Sequence, residues 1–564
     1  MILILLSWVY IFLTAAVFGL AFSKALRIQQ ADVVITPILG LFSVTVFATV
    51  WAFFGPINMM FHNVLCIVSV AFWYKNKVGF QTILQDALAQ FRSFSFPIKI
   101  LFTISSLLIL TQSATLPFII DNESYYIQTI KWINEYGFIK GLANLHLFLG
   151  QTSGWHITQS IYNLSFLYDR FNDINGFCLL LGNVFAFKKL HFYFTNRNQM
   201  DLVFGLLPLS YVFLFQFVSS PSPDLPVYVF GFILFSHYLQ NNDLKDRFSI
   251  ISIVALFVFF IKITAVILLL FPLVLVIRHF MALRTTTIKL TCIGFLVLIL
   301  FMAKNVMLTG YPLFPLLSFG MESLDYTVPY VIMEFFFSRS MLHSFYIPYP
   351  YYEQWNTFDL INAYFFNNGI SGYIGIVSLL VLVIIPLLLL REKLTQKVWT
   401  IYLAFAILAA LLCFSSPQYR FYVYFTLFFL LLFFSRWLTN QKWILGLVTS
   451  SLVTVAVLVF VPMSYSTLTE NKLLGQNNTF HLENFFVPER NSKWKPEYKG
   501  GSVGNMHYQC PIDTSFFWVT GNGKLPCINT LQLDYFQKGF FYIPQQRSIE
   551  LGDGFYSQKV SGDE

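Results

Sequence analysis

The chain has 564 residues, of which 57% are hydrophobic and only 11% charged, with a mean hydropathy of +0.65. A water-soluble globular chain carries about 25% charged residues, so the composition argues against a soluble protein and for a polytopic membrane protein. The formal net charge is +8, but the basic residues are dispersed through short loops, a pattern that does not suggest a nucleic-acid partner.

Long continuous apolar runs predict spanning helices, not the short alternating strands of an outer-membrane barrel. About fourteen spans are expected, near 2–22, 33–54, 58–73, 99–119, 174–187, 202–218, 226–240, 249–261, 264–278, 288–305, 371–390, 398–414, 421–435 and 443–462. The first is apolar from Met1, with no basic n-region, and reads as a retained span. The abundant Phe residues are expected to face lipid, with Tyr at the interfaces.

Starting outside, this count puts Lys24/Arg27, Lys75/Lys77/Arg92, Lys188/Lys189/Arg197, Lys245/Arg247, Arg278/Arg284/Lys289, Arg391/Lys393/Lys397 and Arg436/Lys442 on the cytoplasmic side, as the positive-inside rule expects. The chain then divides into three parts. Residues 1–98 hold about three spans and a cytoplasmic loop. Residues 99–462 form a spanning module with external loops at 121–173 and 306–370. Residues 463–564 form a soluble, β-rich domain outside the membrane.

The first external loop opens with "IIDNESYYIQTIKWINEYGFIK". Asp121 suits a helix N-cap, Glu123 the favourable first turn, and Gly137 a terminator, so an amphipathic helix of about fifteen residues along the interface is predicted. Capping alone would account for the two acids. The following "GLANLHLFLGQTSGWHITQSIY" is neither a span nor a simple loop, and mixes His146, Gln151, Trp155 and His156 with apolar residues as a cavity-facing fold would. The two histidines sit ten apart, which is no metal-ligand spacing on one helix.

Three basic residues fall at outer span ends against the rule: Lys262, Lys304 and Arg420. Snorkelling to headgroups would explain each alone. Together, on the face that also carries Asp121, Glu123 and Asp224, they can form a pocket for an anionic group, with Arg the better bidentate partner for phosphate. In the tail, "SFFWVTGNGKLPCINTLQLDYFQKGFFYIP" predicts mostly strand and turn. Cys66, Cys178, Cys292 and Cys413 fall in spans, whereas Cys510 and Cys527 are a pair in an exported domain and predict a disulfide.

An acidic residue at the outer end of a span, followed by an interfacial helix in a large external loop, resembles the GT-C superfamily of membrane glycosyltransferases, which use polyprenyl-phosphate-linked sugars. "DNESYY…IKWINEYGFIKGLANLH", with "SPSPDLP" and "KNVMLTGYPLFP", looks closer still to a family of bacterial polytopic membrane proteins. The resemblance covers most of the chain from about residue 99, and departs from the superfamily pattern in placing about three spans before the acidic loop.

The resemblance implies an all-α, GT-C-like enzyme of the bacterial inner membrane that moves a sugar from a polyprenyl phosphate to a cell-envelope acceptor. It implies Asp121 as catalytic base with Glu123 as a second acid, and Arg420 as holder of the lipid phosphate, assisted by Lys262 or Lys304. Tyr125, Trp132, His146, Trp155, His156 and Asp224 are candidates for the substrate groove. Some relatives recruit a divalent cation; Asp121, Glu123 and Asp224 offer oxygen ligands, and nothing in their spacing demands one. The rival readings are an oligosaccharide polymerase or ligase, a flippase for lipid-linked glycans, and a scaffold built around the tail domain.

Overall fold

The computed structural model describes residues 1–29, 32–168, 171–241, 243–343, 356–366, 370–391, 396–465, 473–513 and 515–560. Lys393 and the stretches 344–355 and 367–369 of the predicted 306–370 loop lie outside the described residues.

The chain is mostly helical. In order, the helices are α1 (Ile2–Leu26), α2 (Ile35–Ala52), α3 (Met59–Ser93), α4 (Phe96–Ser113), α5 (Ile127–Glu135), α6 (Gly154–Tyr162), α7 (Ile174–Asn196), α8 (Gln199–Gly205), α9 (Tyr211–Leu214), α10 (Asp224–Leu239), α11 (Leu244–Ile261), α12 (Leu270–Thr309), α13 (Tyr330–His343), α14 (Thr357–Phe365), α15 (Ile370–Arg391), α16 (Gln396–Cys413), α17 (Val423–Ser435), α18 (Gln441–Phe460) and α19 (Thr530–Phe540).

Among the described residues, eight helical segments are long and apolar enough to cross a membrane: Ile2–Leu26, Ile35–Ala52, Phe96–Ser113, Gln199–Phe217, Ile263–Thr309, Ser371–Leu390, Gln396–Cys413 and Gln441–Phe460. The helices α10 and α17 are apolar but shorter. The predicted count of fourteen spans is not confirmed. The predicted spans 264–278 and 288–305 form one helical run bent at His279 (φ −133°, ψ 33°), with no loop between them. Likewise, the predicted cytoplasmic loop after residue 73 continues as helix to Ser93, bent at Asn76. There the Asn76 side-chain amide donates to the Phe72 carbonyl (2.9 Å), satisfying a group that the bend frees.

Phenylalanine is less a lipid-facing residue here than a core filler. Phe235 on α10 packs against Phe425 and Phe428 on α17 at centroid separations of 5.2 and 5.3 Å, and Phe405 on α16 stacks on Phe425 at 5.5 Å and 6°. Phe235, Phe405, Phe425 and Phe428 are all buried. Aromatic pairs of this kind contribute about 0.5–1.5 kcal/mol beyond their buried area. They fix α10, α16 and α17 to one another, and these helices carry or flank Asp224 and Arg420.

The tail is less β-rich than its sequence predicts. Strands β1 (Tyr498–Val503) and β2 (Met506–Pro511) form one antiparallel hairpin, and β3 (Tyr542–Gln546) and β4 (Phe555–Lys559) another. Between them, Thr530–Phe540 is helix α19, capped by the Asn529 side chain accepting from Leu531 N. The aromatic run there follows helical spacing: Leu533 and Phe536 are buried on one face. Cys510 and Cys527 are free thiols, so the predicted disulfide is absent. Cys527 bridges Gln509, one residue off Cys510, and neighbouring strand residues point to opposite faces. The two sulfurs instead lie against the Lys499 and Thr520 carbonyls, at 3.7 and 3.6 Å.

Candidate functional site

Asp121 leads into a wide π-type turn, Asn122–Tyr126, that continues as α5. The helix stops before Gly137, whose φ of +84° suits glycine. A side chain there would meet the Ala52 and Gly55 carbonyls at 2.6 Å, so no other residue fits the bend. The predicted interfacial helix is in fact covered: most residues of the turn and of α5 are buried.

Asp121 occupies the N-cap position, but its side chain caps nothing. Its Oδ2 accepts instead from Arg420 Nη1 at 2.7 Å, with the Tyr126 hydroxyl at 3.5 Å. Arg420 comes from a short 3-10 turn, Tyr419–Phe421, between α16 and α17. Its Nε donates to Gln418 Oε1 at 2.6 Å, and Tyr228 of α10 donates to its carbonyl at 2.9 Å, which fixes the turn.

The same Nη1 that meets Asp121 also faces Asp224, the first residue of α10, with Nη1 to Oδ2 at 4.0 Å. Asp224 in turn pairs with Lys262, which ends α11 and whose ammonium lies over the Phe421 ring, 4.4 Å from its centre. Acid and base therefore alternate in one row: Asp121, Arg420, Asp224, Lys262. Asp224 is its one buried member, and Lys262 is partly covered. The Asp121 and Arg420 side chains are 21% and 32% exposed, whereas those of Asp224 and Lys262 are 3% and 17%. The Asp121–Arg420 end is open to a ligand, and the Asp224–Lys262 end is its buried footing. Burial disfavours the Arg420 charge, but the Asp121 and Asp224 carboxylates outweigh it and raise the guanidinium pKa.

Buried amides hold the two acid-bearing turns. Asn175 donates to the Phe217 and Ser222 carbonyls at 2.8 and 3.1 Å, bracing the turn before Asp224. Asn172 donates to Ser219 O at 3.1 Å and to Asn122 Oδ1 at 3.3 Å, tying that turn to the residue after Asp121. These asparagines, with Gln418 and Tyr126, were not singled out from the sequence. Their only signal is a polar run, "FNDIN", directly before an apolar one.

The remaining predicted site residues divide. Tyr125 lines the neighbourhood of the row: it stacks on Phe148 at 5.2 Å and sets its hydroxyl 3.5 Å from Gln151 Oε1. His156 lies against both Tyr125 and Tyr126, its Nδ1 accepting from Ser153 N. Trp155 is core, with its indole N–H on Asn175 Oδ1 and its ring against Phe230. Trp132 is also core, packed on Phe555 of β4. His146 Nε2 meets the Trp518 carbonyl at 2.9 Å, and burial lowers its pKa to about 4, which keeps it neutral. Lys304 is buried against the Thr152 carbonyl and Asn305, both at 2.6 Å, and its charge acts on His156 beside Tyr125 and Tyr126.

Glu123 also faces away from the row. Its carboxylate accepts from Ser492 Oγ at 2.5 Å, from Lys493 N at 2.9 Å and from Asn122 Nδ2 at 3.1 Å. Burial raises its pKa against those three hydrogen bonds. Asp121, Asp224 and Glu123 thus point at Arg420, Lys262 and Ser492 respectively, and do not converge as a divalent cation requires. Among the described residues, no group of three or more His, Cys, Asp or Glu side chains gathers into such a set.

No curated protein and no solved structure matches the chain. A family model described as "Domain of unknown function (DUF8201)" matches residues 1–427, which takes in all four residues of the charged row and stops short of the C-terminal domain. The chain belongs to that family.

Proposed function

We propose that the protein is a membrane glycosyltransferase that moves a sugar from a polyprenyl-phosphate donor to an acceptor hydroxyl of the cell envelope, on the membrane face that carries Asp121. The observation that supports this best is the half-open Asp121–Arg420 pair on its buried Asp224–Lys262 footing. Two Arg420 nitrogens already donate within the protein. A donor phosphate takes the remaining edge of the fork and competes with Asp121 for Nη1. Released from the pair, the Asp121 carboxylate accepts the proton of the acceptor hydroxyl. The acceptor oxygen forms a bond to the anomeric carbon, the bond from that carbon to phosphate oxygen breaks, and polyprenyl phosphate leaves with its charge held by Arg420. Lys262 pairs with Asp224 and gives the row its positive end.

The test is binding of undecaprenyl phosphate to the purified full chain, read by native mass spectrometry, against Arg420→Ala. Saturable binding by the wild type and its loss in the variant are expected. Equal binding by both would remove Arg420 from the donor site.

One observation favours a second reading. At the other end of α10, about 24 Å away by helical rise, lies a cavity of about 690 Å³ lined by Asp32, Lys188, Lys189, Asp201 and His237. A polar cavity at one end of α10 and the charged row at the other suit a flippase for lipid-linked glycans. Translocation of such a lipid in proteoliposomes, without glycosidic chemistry, would favour it.

A further inference from the structure

The family match ends at residue 427, yet the turn that presents Asp121 is gripped by residues beyond it. Besides Ser492 and Lys493 on the Glu123 carboxylate, the Glu123 carbonyl accepts from Thr520 N at 3.2 Å and Gly521 N at 2.8 Å. Thr520 Oγ1 donates to the Ser124 carbonyl at 3.2 Å, and Asn122 Nδ2 to the Asn491 carbonyl at 2.8 Å. One turn further, Gln128 Nε2 reaches the Gly521 and Gly523 carbonyls, both at 3.0 Å.

A π-type turn is a rare backbone state that persists where its surroundings hold it. Here, apart from Asn172 on Asn122 Oδ1, the holding groups come from residues 491–523, and Glu123 is the hub among them. It contributes both its carboxylate and its carbonyl, and it lies two residues from Asp121 and three from Tyr126. A slack turn would carry Asp121 out of its 2.7 Å contact with Arg420.

We infer that the C-terminal domain is a working part of the Asp121–Arg420 site, and that Glu123 is the positioning residue through which the domain sets the Asp121 carboxylate. This rests on the donor-binding reading of that site. It corrects the role expected for Glu123: the residue acts through Asp121 and touches no substrate. It also gives the soluble tail a role, as the wall that keeps the turn in its π form.

The test uses the full-length protein with Glu123→Ala and Glu123→Gln, the second retaining an acceptor oxygen. Hydrogen exchange is read at peptides covering 119–130, 488–494 and 418–422, and undecaprenyl phosphate affinity is measured alongside. Glu123→Ala is expected to speed exchange in all three peptides, leave α1 and α2 unchanged, and tighten binding about tenfold, because Asp121 no longer competes with the phosphate for Arg420 Nη1. Glu123→Gln should stay within about twofold of wild type. In an Arg420→Ala background Glu123→Ala should leave binding unchanged, because the two act on one contact. Faster exchange at 119–130 with 418–422 and affinity both at wild-type values would overturn the inference, as would an unchanged 119–130. If the wild type binds no undecaprenyl phosphate, the donor reading fails, and exchange at 418–422 alone then decides whether Glu123 positions the pair.

Discussion

Asp121 and Arg420 stand 299 residues apart in the chain and 2.7 Å apart in the fold. The pair is the exposed end of a row whose inner members, Asp224 and Lys262, neutralise each other in a nearly dry setting. A fork of donors at that position is worth more than a point charge. Arg420→Lys should therefore weaken undecaprenyl phosphate binding about tenfold although the charge is kept, and Arg420→Ala about a hundredfold. Titration followed by native mass spectrometry checks this; equal affinity for the Lys variant would show that only charge matters.

The Asp224–Lys262 pair carries a stability prediction. Removing one partner of a buried pair strands the other charge at a cost of about 3–5 kcal/mol, whereas removing both is far milder. Lys262→Ala should lower the unfolding midpoint more than the double variant Asp224→Ala/Lys262→Ala does. Thermal unfolding in detergent compares them, and a double variant less stable than the single would contradict the buried-footing role.

Asp173, at the start of α7, is fully buried and neither carboxyl oxygen has a hydrogen-bond partner. Burial pushes its pKa from 3.8 up to about 7. Between those values the folded chain holds a proton that the unfolded chain releases, so stability falls as pH rises across that window, by on the order of 4 kcal/mol. His146 and His156 pull the other way: burial lowers them to about 4 and about 3, so their contribution grows as pH rises towards 6.5. The difference between wild type and Asp173→Asn isolates the carboxyl. The variant should gain on the wild type steadily from pH 4 to pH 7, and a constant difference would contradict the account.

The thiols give a count. All six cysteines are free, so maleimide labelling of the denatured chain should modify six thiols with or without prior reduction. Four without reductant would restore the Cys510–Cys527 disulfide.

Much of the row was legible in the sequence and little of what supports it was. Charges against the positive-inside rule stand out in an apolar chain, which drew attention to Asp121, Asp224, Lys262 and Arg420, four residues that the fold brings into one row. Lys304 gave the same signal and lies outside the row, because one span-end lysine reads like another until its partners Thr152 and Asn305 are known. Trp132 and Trp155 looked like groove aromatics and are core, since composition does not say which side of a ring is covered. Glu123 was hardest. Its partners lie about 370 residues away in a tail whose contacts follow no sequence period. Helix continuity was also hidden: charged residues at 75–92 and 278–289 signal an end to hydrophobic burial, not an end to helix.

The central claim is that Asp121 takes the acceptor proton while Arg420 holds the donor phosphate. It is tested most directly by giving wild type and Asp121→Asn, each reconstituted with envelope acceptors, an undecaprenyl phosphate carrying a labelled hexose. The account predicts that both bind undecaprenyl phosphate and that the variant transfers label at least about a hundredfold more slowly. Transfer by Asp121→Asn at the wild-type rate would contradict it.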